Sequence, residues 1–156
     1  MRYIEEMKVK GFEFVLPDGW LVRQGEQSGV TVLMPPENPS EIQFRPTLVI
    51  TCSEFEGRAI SQLFDETSKK LGQINDTYIE VARSLRTEEL EDIESITFSY
   101  LEGTINVIAD QYIKSKDDFG LIITATYARA DSKLVRDELA IIAKSIGFKD
   151  EILDLG

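Results

Sequence analysis

Between Ile96 and Tyr127 the chain alternates apolar and polar residues in three successive runs, and this pattern narrows its folds more than any other feature. Ile96, Phe98 and Tyr100 alternate with Thr97 and Ser99. Ile105, Val107, Ala109 and Ile113 fall on one side of the stretch 104–113. After a Lys116-Asp117-Asp118-Phe119-Gly120 turn, Leu121, Ile123, Ala125 and Tyr127 oppose Ile122, Thr124 and Thr126. A period of two sends successive side chains to opposite faces of a strand. Strands with one apolar and one polar face belong to an antiparallel sheet with unequal sides. The connections are too short for crossover helices, which argues for a meander and against a doubly wound parallel sheet.

Five shorter strands are expected upstream. Phe12 to Leu16 stops at Pro17-Asp18-Gly19, read as a tight turn with proline at its second position and glycine accepting a positive φ. Trp20 to Val22 and Val30 to Met34 follow, the latter ended by Pro35-Pro36 and a loop through Glu41. Thr47 to Ser53 is entered through Arg45-Pro46. Tyr78 to Leu85 has strand composition but imperfect alternation.

Two helices complete the set. Over Arg58 to Gly72, residues Ile60, Leu63, Phe64, Thr67 and Leu71 recur at helical spacing, Glu66 and Lys70 form an i,i+4 pair, and Gly72 is placed to end the helix. In the last helix Asp131 or Ser132 caps the first turn. Leu134, Val135, Leu139, Ile142, Ala143 and Ile146 make one broad apolar face, and Gly147 supplies the stop. The class expected is α+β, with the apolar faces of both helices covering one side of a mostly antiparallel sheet. The 156 residues form one domain, with a core over about 10–148 and a short C-terminal tail.

Charge and composition restrict the partners. Twenty-eight acidic against 17 basic residues give a net charge of −11, which repels nucleic acid and anionic membrane surfaces. No apolar run approaches the ~20 residues that cross a bilayer. The start of the chain lacks a signal-peptide pattern, so a cytoplasmic protein is expected unless a leader has been removed. Glu88, Glu89, Glu91, Asp92 and Glu94 crowd into seven positions, either as a solvated loop or as a docking surface for a basic partner.

The chemistry that could be built here is limited. Without histidine there is no Ser-His-Asp or Cys-His arrangement and no imidazole zinc site. The single cysteine, Cys52, excludes an intrachain disulfide and reads as a strand thiol. No glycine-rich phosphate loop or calcium-loop spacing occurs. No catalytic, metal or cofactor residue is therefore assigned, and no cofactor is expected. Asp110 stands out as a mid-strand carboxylate on the same side as Asn106, either solvated or in a pocket. Trp20 is either a corner-filling core residue or a partner anchor. Arg45, between Phe44 and Pro46, is read as a structural pairing to a carboxylate or loop carbonyls, with a ligand contact as the alternative.

The order of landmarks resembles a known group. Phe12-x-Phe14-x-Leu16-Pro17-x-Gly19-Trp20, Val30-x-Val32-x-Met34 and Phe44-Arg45-Pro46-Thr47-Leu48-Val49-Ile50-Thr51 look like the Mog1/PsbP-like superfamily. The Phe-Arg-Pro segment is similar to LpqN-like proteins, and the Leu-Pro-x-x-Trp arrangement to DcrB-like proteins and chaperones of secretion effectors. The resemblance implies a helix-covered antiparallel sheet of α/β/α sandwich type. It also implies a theme of binding other proteins, without shared catalytic apparatus. A lipobox, as LpqN-like and DcrB-like lipoproteins carry, is not visible at the start of the chain.

The function expected is therefore a non-enzymatic protein-binding or secretion-associated adaptor or chaperone, with a secreted effector or toxin as partner. Two alternatives stand beside it: a toxin-immunity or inhibitor protein, and a small-ligand carrier or histidine-independent enzyme. Homodimerisation through strand edges is a further expectation.

Overall fold

A computed structural model describes residues 12–14, 16–24, 30–36, 44–84, 93–116 and 119–148. Its strands are β1 (Phe12–Glu13), β2 (Leu21–Gln24), β3 (Val30–Met34), β4 (Thr47–Glu54), β5 (Ile79–Ser84), β6 (Ile93–Glu102), β7 (Ile105–Lys116), β8 (Phe119–Ala128) and β9 (Gly147–Phe148). Helix α1 (Ile60–Ile74) joins β4 to β5. A 3₁₀ turn at Arg129–Asp131 leads from β8 into α2 (Ser132–Ser145). Seven strands form one sheet in the order β2-β3-β4-β8-β7-β6-β5, and every neighbouring pair is antiparallel. The expected meander is β6-β7-β8. Strand β1 stands apart and pairs with β9, joining the two ends of the described chain.

The two helices lie on opposite faces of the sheet, not on one side as the sequence led us to expect. Ile122 and Ile123 show this directly, because adjacent strand residues point to opposite faces. Ile123 packs with Leu121, Ala125, Leu48 and Ile50 against Leu139, Ile142, Ala143 and Ile146 of α2. Ile122 packs with Phe55, Ile96 and Ile113 against Phe64 of α1. Each buried aliphatic or aromatic side chain in these layers contributes about 1.5–3 kcal/mol. Both sides of β7 and β8 are thus used, with Thr124 and Thr126 half-buried on the α1 face.

Several local expectations change for physical reasons. Gly72 does not end α1, which runs to Ile74 and closes with the Asn75 N–H on the Leu71 carbonyl. Glu66 accepts two bonds from Arg58 Nη1, at 2.7 and 2.9 Å, and this pairing takes the place of the expected i,i+4 partner. The start of α1 is capped from inside the helix, where Gln62 Oε1 accepts the Ala59 N–H at 2.7 Å. At α2 neither Asp131 nor Ser132 supplies a side-chain cap, and Asp131 is buried. Gly147 is a strand residue opposite Glu13. The end of α2 is served by Lys114 Nζ of β7, which donates to the Lys144 carbonyl at 2.7 Å and also to that of Ile146. A cation suits this negative end of the helix dipole.

Two irregularities in the sequence have structural causes. The imperfect alternation of β5 reflects a register shift between Glu80 and Ala82, a β-bulge that leaves Val81 out of step. In the first turn the Trp20 N–H bonds the Pro17 carbonyl at 3.4 Å, so proline stands at the first position rather than the second. Gly19 takes the third position at φ 88°, as anticipated for a glycine there.

Candidate functional site

That first turn forms one side of a cleft of about 440 Å³. Pro17, Asp18 and Trp20 line this side, and Pro35 with Pro36 follow from the end of β3. Pro46 contributes from the entry to β4. The other side is helical, with Leu134, Val135, Glu138 and Leu139 recurring at the spacing of one α2 face. Trp20 is half-buried, packing its body against the main core while it lines the opening. The core reading of Trp20 is met in part, and the same side chain is reachable from the cleft. Leu134 departs from the expected apolar face: it is 61% exposed on the rim, whereas Leu139 beside it is buried.

Arg45 holds part of this wall in place. Its Nη2 donates to the Pro35 carbonyl at 2.9 Å, the pairing to a loop carbonyl that its position suggested. The bond ties the chain before β4 to the end of β3, and sets Pro46 beside Pro35 and Pro36. Phe44 is half-buried next to it.

A second polar group lies on the α2 face of β6, β7 and β8. Asp110 is 4% exposed, which corrects the view of it as a solvated carboxylate. Thr97 Oγ1 donates to Asp110 Oδ1 at 2.6 Å, and Tyr127 Oη donates to Oδ2 at 2.7 Å. Burial, reinforced by the bond and charge of Asp110, pushes the Tyr127 phenol well above its ordinary range. Tyr112 is pushed up to about 12, first by burial and then by the Asp110 charge, with Arg136 opposing. Every buried side-chain nitrogen or oxygen among the described residues has a partner. The group thus reads as a closed polar clamp across three strands rather than an open pocket.

The remaining candidates scatter. Asn106 is half-buried in β7 opposite Leu101, four residues from Asp110. Glu94 is half-buried in β6. Glu88, Glu89, Glu91 and Asp92 lie outside the described residues. Trp20 lines the cleft and Arg45 is tied to its wall through the Pro35 carbonyl, Phe44 is the chain neighbour of Arg45, and Asp110 and Asn106 lie on β7. Sequence reasoning missed the proline walls and Leu134. Pro35, Pro36 and Pro46 read only as strand breakers, and Leu134 lies over a hundred residues from Trp20. Among the described residues no group of three or more histidine, cysteine, aspartate or glutamate side chains could hold a metal ion. No described helix is long and apolar enough to cross a membrane.

Solved structures share this architecture. The cyanobacterial PsbP protein, CyanoP, of Synechocystis sp. PCC 6803 aligns over 94% of this chain and 91% of its own, with a TM-score of 0.68 and 15% identity. The fold is Mog1/PsbP-like. LpqN of Mycobacterium tuberculosis, involved in cell envelope biogenesis, shares this Mog1/PsbP-like fold over 86% of this chain and 81% of its own, at TM-score 0.59 and 15% identity. PA94 of Pseudomonas aeruginosa, a protein of unknown function described as a putative regulator, aligns over 84% and 85% at TM-score 0.53 and 14% identity. At such identities the likeness speaks for the fold alone. No protein-family model matches the sequence, and no curated protein matches it.

Proposed function

We propose that this protein is a non-enzymatic accessory module that binds another protein through the Trp20 cleft. The observation that carries the reading is the pairing of a fixed aromatic side chain with an exposed leucine, Leu134, across an apolar cleft. Tryptophan is among the residue types most enriched at binding hot spots, and the exposed leucine beside it adds apolar surface for a partner to cover. Four prolines stiffen the opposing wall, so little conformational entropy is lost when a partner docks. The adaptor or chaperone role, with a secreted effector or toxin as client, is the finer form of this proposal. The part of LpqN in cell envelope biogenesis and the putative regulatory role of PA94 agree with an accessory protein but supply no partner.

A site-specific crosslink tests it. A photoreactive phenylalanine analogue at position 134 should capture one discrete protein from the native cell, whereas the same group at position 79 should not. Ile79 is equally exposed but sits on β5, at the far edge of the sheet. Equal capture from both positions, or none from position 134, would count against the cleft as the docking site.

A further inference from the structure

We infer that the Trp20 cleft takes an extended, apolar segment of its partner that carries an arginine or lysine. The inference rests on the cleft being the docking site and adds the chemistry of what docks there. It follows from an inventory of donors and acceptors on the lining.

Pro17, Pro35, Pro36 and Pro46 have no backbone N–H and can offer only carbonyls. The Trp20 N–H is engaged by the Pro17 carbonyl. Val135, Glu138 and Leu139 lie inside α2, where each N–H serves the helix's own carbonyls. Asp18 and the first-turn Leu134 are the two lining residues whose N–H groups lie outside these pairings. Among the described lining residues the Trp20 indole is the only side-chain donor. Acceptors are more plentiful: the Glu138 carboxylate and the Pro36 and Pro46 carbonyls, with Asp18 adding negative charge to the lining. Arg45, the cation attached to this wall, is held on the Pro35 carbonyl.

A ligand that matches such a lining must bring donors and positive charge together with apolar surface. A carboxylate or phosphate would meet like charge and few N–H groups. A guanidinium or ammonium head would meet the exposed Glu138 carboxylate, and the Trp20 ring offers a face on which a cation can rest. The protein's net charge of −11 acts in the same direction at longer range. The volume, about 440 Å³, admits a few residues of an extended chain.

Trp20 is the sole tryptophan, so its emission reports directly on the cleft. Three blocked leucine- and proline-rich hexapeptides, alike except for one arginine, norleucine or glutamate, serve as probes. The arginine peptide should bind at least about tenfold tighter than the glutamate peptide. That gap should narrow as salt is raised from about 0.05 M to about 0.5 M. Glu138→Gln, at an exposed helix position, should weaken the arginine peptide several-fold and leave the norleucine peptide unchanged. Equal or tighter binding of norleucine or glutamate overturns the cationic assignment while the cleft still stands as a docking site. Silence from all three peptides overturns it as well, and the crosslink from position 134 then decides separately whether the cleft docks a protein.

Discussion

The tip of the Phe55 ring sits over Gly120, so close that a Cβ on that glycine would fall 1.9 Å from it. The sequence places Gly120 in a turn, but it is a strand residue of β8, paired with Ser53. Its missing side chain is what lets Phe55 reach the layer beneath α1. Gly120→Ala should therefore displace Phe55 and destabilise the fold by about 1–3 kcal/mol, the usual range for an overpacked core. Chemical denaturation measures it. An unchanged midpoint would mean that the ring can shift freely. The double variant with Phe55→Leu should recover part of the loss.

A second prediction concerns alkaline stability. In the unfolded chain a tyrosine titrates near 10. Tyr112 is raised to about 12, and Tyr127 is raised further in the same direction. Between the unfolded and folded values the native state holds the proton more tightly, so unfolding is increasingly favoured as pH rises. The stability is complete below pH about 10 and lost progressively above it. Thermal melts from neutral to strongly alkaline pH should show Tm falling steeply beyond this point. Tyr112→Phe should fall less steeply over the same window. Identical slopes would detach Tyr112 from the effect.

The clamp on Asp110 can be tested at neutral pH. Tyr127→Phe removes one of the two side-chain hydroxyls that donate to it while keeping the buried ring, and leaves Thr97 as the other. An incompletely satisfied buried carboxylate costs about 1–3 kcal/mol. Denaturation should show a loss of this size, with Thr97→Val smaller because Thr97 is only half-buried. A neutral result for Tyr127→Phe would indicate that water reaches Asp110.

How much of this was legible beforehand depends on the range of the forces involved. The alternation around Phe98 and Ile123 is a property of a few neighbouring residues, so the strands and their order in the meander could be read. Which helix covers which face is not local. Ile122 and Ile123 are equally apolar, and only the path of the chain assigns one to α1 and the other to α2. Gly72 and Gly147 misled because a glycine after a periodic stretch is a sound local stop signal. Here Asn75 and Lys114 complete the two helix ends instead. Asp110 could be read as solvated because only the polar Asn106 was noted on its side of the strand, yet Tyr127 and Thr97 close over it from adjacent strands. The cleft was half visible: Trp20 and Arg45 were identified, but the exposed leucine facing them comes from the last helix.

The turn before α1 offers a stabilising change. Glu56 holds φ at 55° and Gly57 at 78°, with the Arg58 N–H closing on the Phe55 carbonyl at 3.0 Å. A residue with a Cβ is strained in this region, where glycine is not. Glu56→Gly removes that strain and adds some unfolded-chain entropy, for a net gain of about 0.5–1 kcal/mol. Tm should rise by about 2–3 °C. Glu56→Val should lower it, because a β-branched side chain tolerates positive φ poorly.

The Arg45 bond makes a prediction that separates architecture from recognition. Arg45 is exposed, so its contact with the Pro35 carbonyl contributes little to global stability, about 0.5–1.5 kcal/mol. Its importance lies in holding one wall of the cleft against another. Arg45→Ala should leave the fold intact by circular dichroism while shifting Trp20 emission to longer wavelength, as the cleft loosens and water gains access. The crosslinked product from position 134 should fall in the same variant. Arg45→Lys keeps the charge but cannot reproduce the reach of the planar guanidinium, and should restore only part of both signals. Unaltered emission and capture in Arg45→Ala would show that the prolines hold the wall without it, and Arg45 would then be left with no part in shaping the cleft.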